Sequence, residues 1–166
     1  MPKDSSFDVV CEPNWAEIAN AIDQVLRETR QRYDFRGQEV TVDWDAVAKT
    51  VRLDAPAGMV MDALCTVLNE KMAKRGVDLA YLDYQPVVLG GKGRARREVC
   101  IRHGLDQATA KSIQKAIKAL PWKVDAQVQG DAVRVISKSK DDLQRVIVWM
   151  AQQDFGLKLT AANYRS

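Results

Sequence analysis

Lys123-Val124-Asp125-Ala126-Gln127-Val128-Gln129-Gly130-Asp131-Ala132-Val133-Arg134-Val135-Ile136 is the stretch that decides the fold. Apolar and polar residues alternate on both sides of Gly130-Asp131, and that two-residue break between alternating runs is the signature of a β-hairpin. The alternation assigns faces. Val124, Ala126, Val128, Val133 and Val135 belong to a covered side, and Asp125, Gln127, Gln129 and Arg134 to an open one.

Working outward from the hairpin, Asp106 is placed to cap a helix whose Ala110, Ile113, Ile117 and Leu120 recur at helical spacing, and Pro121 stops it. On the far side Ser139 caps another helix, with Leu143, Val146, Ile147 and Met150 inward, and a strand near 157–164 ends the chain. The first half follows the same plan. A strand at 7–12 precedes a helix capped by Asn14 with Glu17 at its third position, a capping-box pattern. Paired strands at 40–44 and 50–54 lead to a helix over roughly 58–74, closed by Arg75-Gly76. A short strand near 80–84, a linker at 86–93 carrying Gly90-Gly91-Lys92-Gly93, and a strand at 97–102 follow. The order β-α-β-β-α-β occurs twice, the split βαβ or ferredoxin-like arrangement, with helices on one face of a four-stranded antiparallel sheet.

The composition of the 166 residues excludes several function classes. No apolar run approaches the ~20 residues of a membrane span, and Met1-Pro2-Lys3-Asp4-Ser5-Ser6 lacks the apolar centre of a signal peptide, so a cytoplasmic protein is expected. Cys11, Cys65 and Cys100 are widely spaced and include no CxxC pair, which argues against a disulfide framework and against zinc. His103 is the single histidine, which removes most histidine-dependent catalysis and every multi-histidine metal site. Neither a metal nor a cofactor is expected. Asp141 and Asp142 read as first-turn acids of a helix rather than as a catalytic pair.

The net charge of +3 is unevenly spread. Positions 92–123 hold nine lysines and arginines against two acids, a local +7, which leaves −4 on the rest of the chain. A basic segment on an acidic body suits a polyanion, although lysines such as Lys111, Lys115 and Lys118 also solvate a helix face. Lys92 and Arg94, in the run Gly90-Gly91-Lys92-Gly93-Arg94-Ala95-Arg96-Arg97, have phosphate-binding chemistry, and the same glycines suit a plain hinge. The GxxxxGK[ST] spacing is absent, so no ATPase or GTPase is expected. Gln127, Gln129 and Arg134 could hold a base edge and a phosphate together, or could simply be solvated. The aromatic motif of RNA-recognition domains is missing, and Trp44 is the one candidate platform, more in keeping with a packing role.

Particular words in the chain carry a resemblance. Ser6-Phe7-Asp8-Val9-Val10, Asn20-Ala21-Ile22-Asp23-Gln24, Arg32-Tyr33-Asp34-Phe35-Arg36-Gly37 and Lys74-Arg75-Gly76-Val77-Asp78 resemble the bacterial YajQ family, also called UPF0234. So do the hairpin quoted above, Ser137-Lys138-Ser139-Lys140-Asp141-Asp142-Leu143-Gln144, and Asn163-Tyr164-Arg165. The match weakens between 40 and 57, and Cys11 and Arg36 stand where the family usually has Ser and Lys.

The resemblance implies two ferredoxin-like domains that exchange their first strands, one spanning 14–102 and the other 1–13 with 103–166. It also implies a non-catalytic binding protein for nucleotide or RNA phosphates, with ATP, GTP, transfer RNA or ribosomal RNA as ligands. The alternative it offers is a cyclic di-GMP effector that docks to a transcription factor or other protein. The nucleotide- and phosphate-binding residues expected on this basis are Arg36, Lys74, Arg75, Lys92, Arg94, Gln127, Gln129, Arg134, Lys138, Lys140, Asn163 and Arg165.

Overall fold

The computed structural model describes residues 4–166. Met1-Pro2-Lys3, which the domain reading assigns with the second domain, lie outside the described residues. The chain forms two compact units, one made of Met1–Glu12 and His103–Ser166 and the other of Pro13–Arg102.

The discontinuous unit contains strands β1 (Ser5–Val10), β7 (Asp125–Gln129), β8 (Ala132–Ser137) and β9 (Thr160–Arg165), with helices α3 (Gln107–Lys118) and α4 (Lys140–Ala151). Its sheet runs β7-β8-β1-β9, antiparallel throughout. β1 holds a central position because Phe7 and Val9, both fully buried, face the helices. There they join Val133 and Val135 of β8, Ile113 and Ile117 of α3, and Leu143 and Val146 of α4 in the buried core. Side chains of this size stabilise by roughly 1.5–3 kcal/mol each on burial. The helix starts form as the sequence specifies: Asp106 Oδ1 accepts from the Thr109 amide at 2.7 Å, and Ser139 Oγ from the Asp142 amide at 3.2 Å.

The continuous unit contains α1 (Trp15–Gln31), β2 (Thr41–Asp45), β3 (Thr50–Pro56), α2 (Met59–Lys74), β4 (Leu82–Tyr84), β5 (Val88–Leu89) and β6 (Arg94–Ile101). The order β2-β3-β6-β4 reproduces that of the other sheet, with β6 in the place β1 holds there. The first strands are therefore exchanged, and the fold is α+β with two ferredoxin-like units. Ile18 and Val25 of α1, Leu64, Leu68 and Met72 of α2, Val51 and Leu53 of β3 and Val99 of β6 are buried together on the helix side.

Two sequence expectations change. The stretch 86–93, read as a flexible linker within 14–102, instead holds a strand, where β5 pairs with β6 through Val88↔Arg96 and Leu89↔Ala95. The strand expected at 97–102 also begins earlier, at Arg94. Proline and glycine obscured a hairpin whose loop is closed by Gly90 N–H to Arg94 O at 2.8 Å, with Lys92 at φ +59° and Gly93 at φ +73°. Trp44 lies in a stack on Trp15, with ring centroids 6.3 Å apart, and the Lys49 ammonium sits 4.5 Å from the Trp15 ring. It is a packing residue, not a platform for a base.

Candidate functional site

On the continuous unit's sheet, the face away from the helices carries Thr41, Asp43 and Asp45 of β2, Arg52 and Asp54 of β3, and Arg94, Arg96 and Glu98 of β6. Alternation puts Val51, Leu53, Ala55, Ala95 and Val99 on the buried side, so these polar residues must face the other way. Cross-strand pairing then decides which charges meet. Arg52 reaches Asp45 at 2.9 Å, Glu98 at 3.8 Å and Asp43 at 3.9 Å. Asp54 Oδ1 receives Arg94 Nη2 at 2.6 Å and Nε at 3.2 Å, and its Oδ2 lies 3.3 Å from Arg96 Nε. The basic run seen in the sequence is thus partly neutralised by acids on neighbouring strands.

Beside this face opens a cleft of about 1000 Å³. Its lining includes Gln38, Glu39 and Thr41 before and on β2, Val88 and Leu89 of β5, the Gly90-Gly91-Lys92 loop, and Asp54, Arg94 and Arg96. Val88 and Leu89 are well exposed, at 63% and 74%. The Val88 side chain, which shares the face of its partner Arg96, together with two loop glycines and three cations in one concavity can seat a flat ring and an anion together.

Of the residues expected at a site, Lys92 and Arg94 come together in this cleft. Arg36 is exposed and lines a smaller recess of about 460 Å³ whose lining shares Gln38, Val40 and Thr41 with the cleft. Arg75 points elsewhere: its Nε lies 2.9 Å from Glu17 Oε2 and its Nη2 donates to Oε1 at 3.1 Å, fastening the end of α2 to α1. Lys74 is exposed in the last turn of α2. Sequence reasoning missed Arg96, Gln38, Glu39 and the apolar shelf at Val88. Arg96 was legible as part of the basic run, whereas the shelf was hidden inside an apparent linker.

The discontinuous unit carries the remaining residues. Gln127 stands opposite Arg134 across the hairpin, and Gln129 Nε2 donates to Gln127 Oε1 at 3.5 Å. Arg134 is opposite Asp8 on its other side and donates from Nε to Oδ1 at 3.1 Å. Asn163 Nδ2 donates to Asp8 Oδ2, also at 3.1 Å. Asn163 adopts φ +54° where the β1–β9 register slips between Ser6↔Arg165 and Asp8↔Ala162, a bulge that aims its amide at Asp8. Burial pushes the Asp8 carboxyl up, but the hydrogen bonds from Arg134 and Asn163, with the charges of Arg134 and Arg165, outweigh it and hold the group below its ordinary value. Arg134 and Asn163 are therefore occupied by a neighbouring side chain rather than presented whole to a ligand. Arg165 is exposed at the end of β9, and Lys138 and Lys140 are exposed at the turn leading into α4.

Among the described residues no three histidine, cysteine, aspartate or glutamate side chains gather in a metal-binding group. None of the three cysteines forms a disulfide. Among the described residues no helix is long and apolar enough to cross a membrane.

Two strand-exchanged ferredoxin-like units and a basic, glycine-edged cleft define a small α+β protein whose site is suited to anion binding. Comparison with known proteins places it. The family described as "Nucleotide-binding protein YajQ-like" matches residues 5–165. A Nostoc punctiforme protein named as a nucleotide-binding protein is 38% identical over 165 residues, covering 99% of this chain and all of its own. Proteins given the same description in Carboxydothermus hydrogenoformans and Thioalkalivibrio sulfidiphilus are 38% and 41% identical, covering 99% and 96% of this chain and 100% and 98% of their own. The chain belongs to the YajQ family.

Proposed function

We propose that the chain is a cytoplasmic, non-catalytic nucleotide-binding protein whose ligand is held through its phosphate in the cleft of the continuous unit. The observation that carries this reading is the convergence of Lys92, Arg94 and Arg96 beside the exposed apolar Val88, which pairs with Arg96 and shares its face. Cations give charge-assisted hydrogen bonds to phosphate oxygens, and the apolar shelf accepts the face of a base. The names of the relatives point the same way. Binding without chemistry fits the open sheet face, where Asp43, Asp45, Asp54 and Glu98 are each within ion-pair distance of an arginine and so are poorly placed as a general acid or base.

Isothermal titration of the full chain with mononucleotides, cyclic di-GMP and transfer RNA tests the reading and ranks the ligand classes. Binding of at least one class, weakened by Arg96→Gln, supports it. Silence across the whole panel, or binding that ignores Arg96→Gln and Lys92→Gln alike, overturns it. Multiple turnover of any bound nucleotide would overturn the non-catalytic part.

A further inference from the structure

The electrostatics of the cleft narrow its ligand. Arg94 is 28% exposed and meets one oxygen of Asp54 with two of its nitrogens, at 2.6 and 3.2 Å. Arg96 meets the other oxygen through Nε at 3.3 Å, and 78% of its side chain is exposed, so most of its guanidinium stays open to solvent. Lys92 is exposed on the loop, its position set by the left-handed turn at φ +59°. Two cationic groups, the Arg96 fork and the Lys92 ammonium, are thus presented to an anion, while the third is already matched by Asp54.

Glu39 adds a carboxylate to the same lining. A phosphate monoester carries about −1.5 to −2 at pH 7, which matches two cations. A triphosphate brings two more charged groups into a cleft that holds no further unmatched cation, and in which Glu39 repels them.

Resting on the nucleotide-binding reading above, we infer that this cleft selects a nucleoside monophosphate over the corresponding triphosphate, with Asp54 and Glu39 setting the limit. Lys92 and Arg96 grip the single phosphate. The base lies on Val88, which pairs with Arg96 and so shares its face. Gln38 and Glu39 supply an amide and a carboxylate for the polar edge of the base or the ribose hydroxyls.

Calorimetric titration of the full chain with AMP, GMP, ATP, GTP and cyclic di-GMP at one ionic strength, with the triphosphates run with and without magnesium, tests the inference. The monophosphates should bind tightest, and Lys92→Gln and Arg96→Gln should each weaken them by roughly tenfold or more. Asp54→Asn, which removes the internal competitor of Arg94 and Arg96, should raise triphosphate affinity more than monophosphate affinity. Glu39→Gln, at an exposed position away from the sheet, should do the same and covers the case in which the Asp54 variant does not fold. Tighter binding of a triphosphate or of the cyclic dinucleotide by the unaltered chain overturns the inference and leaves the nucleotide-binding reading intact. So does a monophosphate-to-triphosphate ratio unchanged in Glu39→Gln. Binding of no nucleotide at all removes both.

Discussion

Asp8 and Arg134 face each other on adjacent strands, 3.1 Å apart and separated by 126 residues of sequence. Asp8 is only 7% exposed although it lies on the side of the sheet away from the helices. Arg134 therefore neutralises a carboxylate that water scarcely reaches. Arg134→Ala leaves that charge without its main partner and should destabilise the protein by about 1–3 kcal/mol, read as a shift in the urea midpoint.

The same pair makes stability depend on acid. The Asp8 carboxyl is held below its ordinary value in the folded chain, so on acidification the unfolded chain takes up the proton first. The stabilisation is complete above about pH 5 and disappears as the pH falls through the folded-state value. Urea titrations from pH 7 to pH 3 should show the unaltered protein losing stability more steeply than Asp8→Asn. Parallel curves would refute the assignment.

Asn163 combines a left-handed backbone with a hydrogen bond to Asp8. Asn163→Gly removes the hydrogen bond but relaxes the backbone, whereas Asn163→Val loses the bond and forces a β-branched residue into φ +54°. The valine variant should be less stable than the glycine variant by about 1–2 kcal/mol in chemical denaturation. Equal stability would mean that the bulge rearranges freely.

Tyr84 gives a signal at the opposite end of the pH scale. Its hydroxyl donates to Asn69 Oδ1 and lies 3.3 Å from the Cys65 carbonyl oxygen, and the Arg97 guanidinium lies 4.7 Å from its ring. Burial, followed by the influence of Cys65, pushes the phenol far above its ordinary value despite the Arg97 charge. A raised folded-state value gives stability that is whole below about pH 10 and is lost as the pH climbs beyond it. Tyr84→Phe should therefore flatten the alkaline limb of the stability profile, and ultraviolet titration of the unaltered protein should show one phenol resisting ionisation until the chain unfolds.

Phe7 tests the sheet of the discontinuous unit. Truncating this fully buried ring to alanine should cost about 3–5 kcal/mol. Hydrogen exchange by mass spectrometry should locate the loss of protection in 103–166 and spare most of 13–102. Uniform loss along the chain would contradict the division into units.

Much of the fold was legible because its elements obey simple periods. The hairpin 124–136, the four apolar helix stripes and the caps Asn14, Asp106 and Ser139 follow from local pattern and hydrogen-bonding chemistry. β5 was not legible: the two residues Val88 and Leu89 are too short a run to show alternation, and they become a strand only because β6 offers them partners.

The candidate site was legible in residue type more than in availability. Lys92 and Arg94 were recognisable as cations, but their differing freedom depends on Asp54, which register brings to Arg94 and Arg96 from 40 positions away or more. Arg75 and Arg134 each have a carboxylate partner within the protein, Glu17 and Asp8, which residue type alone does not reveal. Asp8 was overlooked because an acid at an outward strand position looks solvated until a bulge on β9 closes over it.

The placement of β1 between β8 and β9 has a consequence for biosynthesis. A nascent chain that has emitted β1 has made the centre of a sheet whose other strands are more than a hundred codons away. Everything the intervening unit needs is translated before those strands emerge, so that unit can consolidate while the leading segment still waits, like a bracket opened early and shut last. Removing either β1 or β9 would injure one and the same half of the molecule.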